Sequence, residues 1–128
     1  MRSHVDEGRI RSAITTAEAR TTGKIHVTVS HQLWGSTRTK AERIFTRLHL
    51  NNTPERNGVL FFVAPARREF TVLGDAAIHE KVGQEFWERV VAAMREKIRA
   101  GNLTDGIVHG IEEAGRELAA HFPKRPTS

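Results

Sequence analysis

The chain has 128 residues, of which 38% are hydrophobic and 27% are charged, with no cysteine and a formal net charge of +5. These values are typical of one basic globular domain, and they exclude a disordered chain, a disulfide framework and any site that needs a thiolate. Since the sequence has no apolar run of membrane-spanning length and residues 1–7 are largely polar and charged, we expect neither a membrane span nor a secretory signal, and we predict a cytoplasmic protein.

The first part of the sequence predicts a helix, a strand and a second helix. Apolar residues within 10–17 recur at helical spacing. Residues 24–30 alternate between apolar and polar side chains, as in a strand with one buried face. Ser36 or Thr37 is the predicted N-cap of a helix that continues to about residue 50.

The middle of the sequence predicts a central strand and a hairpin. Gly58–Ala64 is apolar on both faces, which is typical of a strand covered on two sides. Residues 68–73 follow so closely that only a hairpin can join the two strands, whereas the helix between the first two strands makes those two parallel. The predicted fold class is therefore α/β, with a mixed sheet of at least three strands.

Two more helices complete the predicted elements. The apolar stripe over residues 78–98 is helical, with a break or bend near Gly83. A last helix begins at Asn102 or Thr104 and ends at Pro123, because proline cannot continue it.

The sequence shows no internal boundary. We predict a single domain over residues 1–128, with its core in 4–123 and a polar tail in 124–128. Gly106 and Gly110 are four residues apart on the last helix and would form a groove that a neighbouring helix can approach closely.

Five short segments, taken in order, carry a family resemblance. They are TGKIHV at 22–27, RNGVLF at 56–61, GDAAI at 74–78, FW at 86–87 and GIVHGI at 106–111. The series resembles the TPM domain, the thylakoid-lumen-phosphatase-like family. The resemblance covers about residues 4–123 and implies a three-layer α/β/α sandwich around a small mixed sheet. It also implies one of several activities, since some members are described as acid phosphatases and some as calcium binders. Many members carry a secretory signal and a membrane anchor or a Gly-rich tail. We expect none of these here, and we therefore expect a cytoplasmic, stand-alone member.

The predicted topology brings one set of candidate site residues to one edge of the sheet. These are Asn57, Gly58, Gly74 and Asp75, where the second strand begins and the hairpin strand ends. The Asp75 carboxylate is the candidate ligand of a hard cation, calcium or magnesium, or the candidate catalytic group of a phosphatase. The alternative is that Asp75 is only the N-cap of the following helix.

Two further residues bear on this cation hypothesis. Glu80, in the first turns of the helix after Asp75, is the second candidate metal ligand. Lys24 lies at the same edge, at a position that is commonly acidic in family members that resemble ion binders. A lysine ammonium beside Asp75 would compete with a metal ion, so we predict a weak cation site.

The opposite edge of the sheet gives a second hypothesis. Ser36, at the start of a helix, and the Arg67-Arg68 pair at the hairpin would form a phosphate cradle of free backbone amides and guanidinium groups. The alternative is that the arginines are a solvated hairpin tip and that Trp34 folds onto the sheet. Of the two edges, the resemblance favours the first.

These observations rank three functions. The first is a binding or interaction module with a weak divalent-cation site, whose partner is an unknown protein or a small phosphorylated ligand. The second is a phosphatase that acts on phosphomonoesters. The third is polyanion or nucleic-acid binding, which the alternating charges of segments such as Arg95-Glu96-Lys97 make the least favoured.

Overall fold

The computed structural model describes residues 5–124 and contains four α-helices and three strands in that range. In chain order the elements are α1 (Glu7–Glu18), β1 (Lys24–Val29), α2 (Thr37–Arg47), β2 (Gly58–Ala64), β3 (Glu69–Gly74), α3 (Ala76–Arg99) and α4 (Leu103–His121). Short 3₁₀ turns at Leu50–Asn52 and Pro65–Arg67 lie before and after β2.

The three strands form one mixed sheet in the order β1-β2-β3. β1 and β2 are parallel, with Lys24 opposite Gly58, and β2 and β3 are antiparallel, with Val59 opposite Gly74. The predicted α/β class, the central position of β2 and the direction of each strand are confirmed. The predicted connections follow from chain length alone, since a four-residue link forces a hairpin and a helix-containing link permits a parallel pair.

Both faces of β2 are buried, and they belong to different layers of the protein. Val59, Phe61 and Val63 point into a core formed with α1, α3 and α4. Leu60 and Phe62 point to the other side, where α2 and the Leu50–Asn52 turn cover them. This alternation explains why the sequence of β2 is apolar throughout, and it gives the three-layer α/β/α arrangement.

The longest helix is bent and packs tightly against the last one. Gly83 has φ 78° and ψ 167° inside α3, so the predicted break at this residue is confirmed. On α4, a Cβ atom at Gly106 would lie 2.8 Å from Cγ1 of Ile98, and one at Gly110 would lie 2.7 Å from Sδ of Met94. The two glycines therefore allow close contact between α3 and α4, as their spacing predicts.

One predicted helix end needs correction. α2 ends at Arg47 rather than near residue 50, because a 3₁₀ turn begins at Leu50 after His49 adopts a left-handed conformation with φ 59°. At the C-terminus, the backbone amide of Lys124 donates to the Arg20 carbonyl at 3.2 Å, and the rest of the predicted polar tail lies outside the described residues.

Candidate functional site

The first predicted cluster does meet at one end of the sheet. Lys24 is the register partner of Gly58, and the Asp75 backbone amide donates to the Gly58 carbonyl at 2.9 Å. Gly74 lies opposite Val59 on the neighbouring strand. The edge is thus built from the starts of β1 and β2 and the end of β3.

The Asp75 carboxylate at this edge is already engaged by a cation of the protein itself. Arg56 donates from Nε to Oδ2 at 2.7 Å and from Nη2 to Oδ1 at 3.2 Å. Only 8% of the Asp75 side chain is exposed. Arg56 has a left-handed backbone with φ 55°, and its carbonyl accepts from the Ala77 amide at 3.0 Å, so the pair is fixed to the start of α3. Such two-point pairing is the strongest geometry between an arginine and a carboxylate.

The surroundings of Asp75 act on its pKa in opposite directions. Burial is the largest single influence and by itself would raise the pKa of the carboxyl. Hydrogen bonds from the Arg56 guanidinium and the Ala76 backbone amide, together with the charge of Arg56, outweigh burial, so the pKa lies below its usual range. Asp75 is therefore a charged, internally neutralised residue near neutral pH.

This pKa shift predicts an acid-sensitive contribution to stability. Because the pKa is lower in the folded than in the unfolded chain, the stabilisation is complete above the unfolded value of about 3.9 and is lost as the pH falls through the folded value. We expect Asp75→Asn to lower the free energy of unfolding near neutral pH, and we expect the difference from the parent protein to shrink below about pH 4. Urea unfolding across a pH series measures this difference. Asp105→Asn, at an exposed ion pair with Arg9, is the matched control and should change stability little. A difference for Asp75→Asn that is constant with pH would contradict the assignment.

Asn57, the other predicted polar residue of this edge, has its hydrogen-bonding groups turned inward. Its side chain is almost fully buried, with 1% of the residue exposed. Its Nδ2 donates to the Thr22 hydroxyl at 3.1 Å, and its Oδ1 accepts from the Thr53 hydroxyl at 3.2 Å. Asn57 thus ties the loop before β2 to the start of β1, and these contacts are structural.

The two glycines of the edge are explained by close packing. A Cβ atom at Gly58 would lie 2.4 Å from the Leu50 carbonyl oxygen, and one at Gly74 would lie 2.4 Å from the Trp87 ring. Both positions exclude a side chain because a neighbouring layer presses against the sheet there. The glycines that stand out in the sequence are therefore accounted for without a ligand.

The remaining residues of the cation hypothesis are dispersed. Lys24 is exposed and forms no ion pair with any residue in 5–124, so Arg56, rather than Lys24, holds Asp75. Glu80 is exposed on α3. Within the described part of the chain, no three His, Asp or Glu side chains lie close enough together to hold a metal ion. A cation at Asp75 would have to approach a buried carboxylate whose charge Arg56 already compensates.

The second predicted cluster lies around an open pocket at the opposite edge of the sheet. The pocket has a volume of about 450 Å³. Its walls come from the start of α2, the β2–β3 hairpin and the middle of α3, and the lining residues are Ser36, Thr37, Arg38, Arg67, Arg68, Glu69, Phe70, Thr71 and Arg95. We call it the arginine pocket, because four of these residues are arginines and one, Glu69, is acidic.

Local structure fixes the three residues that the sequence places in this pocket. Ser36 is the N-cap of α2, and its Oγ accepts from the Thr39 amide at 3.1 Å. Arg67 donates from Nη1 to the Gly35 carbonyl at 2.6 Å, which ties the hairpin to the start of α2. Arg68 has φ 55° at the end of the hairpin turn, and it is exposed.

One carboxylate joins the two sides of the arginine pocket. Oε1 of Glu69 lies 3.3 Å from Nη2 of Arg67, and the same oxygen accepts a hydrogen bond from the Thr37 hydroxyl. Glu69 therefore compensates part of the positive charge of Arg67. The other three arginines of the pocket form no ion pair with Glu69.

Sequence reasoning missed two of the four arginines. Arg38 lies in the first turn of α2, two residues after Ser36, and its Nε is 3.4 Å from Oε2 of Glu42. Arg95 comes from α3 and lies over the Phe70 ring, with its Cζ 5.8 Å from the ring centroid. Arg95 alternates in charge with Glu96 and Lys97, so the sequence did not indicate that it lines a pocket. Its position depends on how the bent α3 crosses the sheet.

A second cavity has a different charge. It has a volume of about 440 Å³, and charged residues of both signs line it between α3 and α4: Arg89, Arg116, Glu113 and Glu117. Positive and negative side chains are balanced there, so the arginine pocket is the one with a clear preference for a ligand charge. Within residues 5–124, no helix has the length and apolar character that crossing a bilayer requires.

Comparison with known proteins places the fold. The BA42 protein from the psychrophilic bacterium Bizionia argentinensis, solved by NMR, is 32% identical with a TM-score of 0.85, over 96% of this chain and 87% of that chain. The N-terminal domain of the cg2496 protein from Corynebacterium glutamicum, also solved by NMR, is 14% identical with a TM-score of 0.68, over 87% of this chain and 70% of that chain. The second likeness shows the fold alone.

The family assignment rests on the sequence itself. No curated protein matches the chain. The family model of the TPM domain matches residues 3–117, nearly the whole sequence, and the five motif segments fall within that range. The chain therefore belongs to the TPM domain family.

Proposed function

We propose that this protein is a binding module that takes a phosphorylated, anionic ligand in the arginine pocket. The observation that carries the proposal is the meeting of four arginines from three separate parts of the chain around one open cavity, with a single carboxylate among them. Guanidinium groups are suited to phosphate because their donors match its oxygens in pairs. Ser36, Thr37 and Arg38 at the start of α2 line the same pocket, and the backbone amides of a helix's first turn favour an anion.

The arrangement combines a fixed arginine with exposed ones. Arg67 has only 21% of its side chain exposed and is held by Gly35 and Glu69, so its guanidinium is already ordered before a ligand arrives. Arg38 and Arg68 are exposed and can reach a bound group. A pocket of about 450 Å³ suits one phosphate-bearing group rather than a length of nucleic acid, which favours a small ligand over a polyanion.

The contacts of the two clusters favour the arginine pocket over the Asp75 edge as the ligand site. At the Asp75 edge, Arg56 already pairs with the carboxylate that would bind a cation. At the arginine pocket, the four arginines outnumber the one acidic residue that lines it. A divalent cation near Asp75 and Glu80 would be repelled by the Arg56 guanidinium, which already compensates the Asp75 charge. We therefore expect calcium or magnesium to bind this edge in the millimolar range or not at all, with no contribution to the module's main function.

Affinity for a phosphomonoester tests the proposal. We expect calorimetry with phenyl phosphate to show binding that Arg67→Gln/Arg68→Gln weakens at least about tenfold, since hydrogen bonds to a charged group contribute about 1.5 to 3 kcal/mol each. The double variant Arg11→Gln/Arg20→Gln has the same charge change at two exposed residues, one within α1 and one just after it. It should bind phenyl phosphate like the parent protein. Equal affinity in both double variants would overturn the proposal.

A phosphatase remains the second candidate because the pocket holds a hydroxyl paired with a carboxylate, Thr37 with Glu69. If the protein were an enzyme, this pair would supply the nucleophile and its base. Release of nitrophenol from nitrophenyl phosphate across pH, with and without magnesium, distinguishes the two functions. We expect no turnover above background, whereas turnover that Thr37→Ala abolishes would establish the enzyme.

A further inference from the structure

The loop of residues 30–36 exposes two large apolar side chains next to the arginine pocket. Leu33 is 62% exposed and Trp34 is 78% exposed, so the alternative in which Trp34 folds onto the sheet is wrong. Single exposed apolar residues are common and need no explanation. These two are adjacent in sequence and are followed directly by residues of the pocket. The Gly35 carbonyl accepts a hydrogen bond from Arg67, and Ser36 lines the pocket.

The backbone of this loop is held in place by cations. Arg67 donates to the Gly35 carbonyl at 2.6 Å, and the Lys40 ammonium donates to the Trp34 carbonyl. Gly35 has φ 90°, a conformation that permits the sharp turn before α2. The loop therefore presents Leu33 and Trp34 to solvent from a tethered base, with positive groups immediately behind them.

We propose that this loop and the arginine pocket together form a docking surface for a membrane that contains anionic phospholipid. The pocket would hold a lipid phosphate, while Trp34 and Leu33 would enter the interfacial layer. The inference rests on the proposed function, because it names a lipid headgroup as the source of the anion. Tryptophan is enriched at the membrane interface, and arginine and lysine near the surface are attracted to anionic lipid.

The pattern of exposure favours a membrane over a protein partner. A stable protein interface buries about 800 Å² on each side and has an apolar centre. Here the large exposed apolar residues within 5–124 are Leu33, Trp34 and Leu48, and Leu48 lies at the far end of α2. Two apolar side chains at the tip of a loop beside several cations suit shallow insertion, which needs little apolar area when charge attraction adds to it.

The two tryptophans make the test direct. Trp87 is 6% exposed in the core, so a change in fluorescence on binding reports Trp34. We expect vesicles of phosphatidylcholine with phosphatidylglycerol to shift the emission to the blue and to sediment with the protein. Pure phosphatidylcholine vesicles should do neither. Raising the salt concentration should weaken the binding, because the attraction of the arginines to the anionic surface is screened.

Two paired variants separate the apolar from the charged contribution. Leu33→Ala/Trp34→Ala should reduce sedimentation affinity about tenfold, whereas Leu48→Ala should not. Arg67→Gln/Arg68→Gln should reduce it about twenty-five-fold, at roughly fivefold for each arginine at the surface. The control is again Arg11→Gln/Arg20→Gln, which should leave vesicle binding unchanged.

The outcomes distinguish this inference from the proposed function. If phenyl phosphate binds the pocket but anionic vesicles do not bind, or bind without dependence on Leu33 and Trp34, the membrane-docking proposal is wrong. The proposed phosphate site then stands. If a phosphopeptide binds with dependence on Trp34 while vesicles do not, a protein partner replaces the membrane. If neither phenyl phosphate nor vesicles bind, both proposals fail.

Discussion

Removal of residues 101–128 is expected to unfold the protein. This truncation deletes α4, whose Ile107, Ile111 and Leu118 are fully buried, and also Phe122, which is 9% exposed. Burying four such side chains stabilises the fold by about 6 to 12 kcal/mol, at about 1.5 to 3 kcal/mol each. That amount is comparable with the whole free energy of unfolding of an ordinary domain. Circular dichroism and thermal melting of the 1–100 fragment measure the effect.

A pair of point variants provides the control for this truncation. Ile111→Ala should cost about 2 to 5 kcal/mol, because it leaves a cavity between α4 and the sheet. Glu112→Ala, at the neighbouring exposed position, should change stability by no more than about 0.5 kcal/mol. A soluble 1–100 fragment that melts cooperatively would contradict the role given to α4.

The second large effect is expected on the opposite face of the sheet, for Phe62→Ala. Phe62 is 3% exposed and packs in the smaller core with Ala41, Phe45 and Leu50. Its truncation should lower the free energy of unfolding by about 3 to 5 kcal/mol. Leu48→Ala, on the same helix layer but 39% exposed, should cost much less. Urea unfolding measures both variants, and a loss below about 1 kcal/mol for Phe62→Ala would mean that α2 does not close this face.

Much of the fold could be predicted because it depends on local pattern and chain length. The apolar run of β2 indicates a strand covered on both faces, and the short link to β3 leaves only a hairpin. Gly83 in an otherwise helical stripe indicates the bend of α3. Helix ends were less predictable, since His49 leaves the helix in a left-handed conformation that nothing in its neighbours requires.

The site was predictable as far as strand topology determines it. The meeting of Gly58, Gly74 and Asp75 follows from strand direction, and so does the approach of Arg67 to Ser36. The direction of single side chains does not follow. Arg56, rather than Lys24, pairs with Asp75 because the loop before β2 turns through a left-handed residue.

Long-range packing supplied the rest of the arginine pocket. Arg95 lies 27 positions after Arg68 in the sequence and reaches the pocket because α3 crosses under the sheet. The sequence around it reads as a solvated helix face. The sequence also offered no indication that Trp34 is exposed, since tryptophan side chains are mostly buried on average and the loop around Trp34 has no periodic pattern.

Amide chemical shifts of the isotope-labelled protein, recorded during separate titrations with inorganic phosphate and with calcium, test most directly whether the functional edge is the arginine pocket. We expect phosphate to move the resonances of Thr37, Arg38, Arg67 and Arg68, which line that pocket. Calcium should leave the amide chemical shifts of residues 56–58 and 75–80 unchanged until its concentration reaches the millimolar range. Phosphate shifts that are absent from the pocket, or a micromolar calcium response around Asp75, would contradict the proposed function.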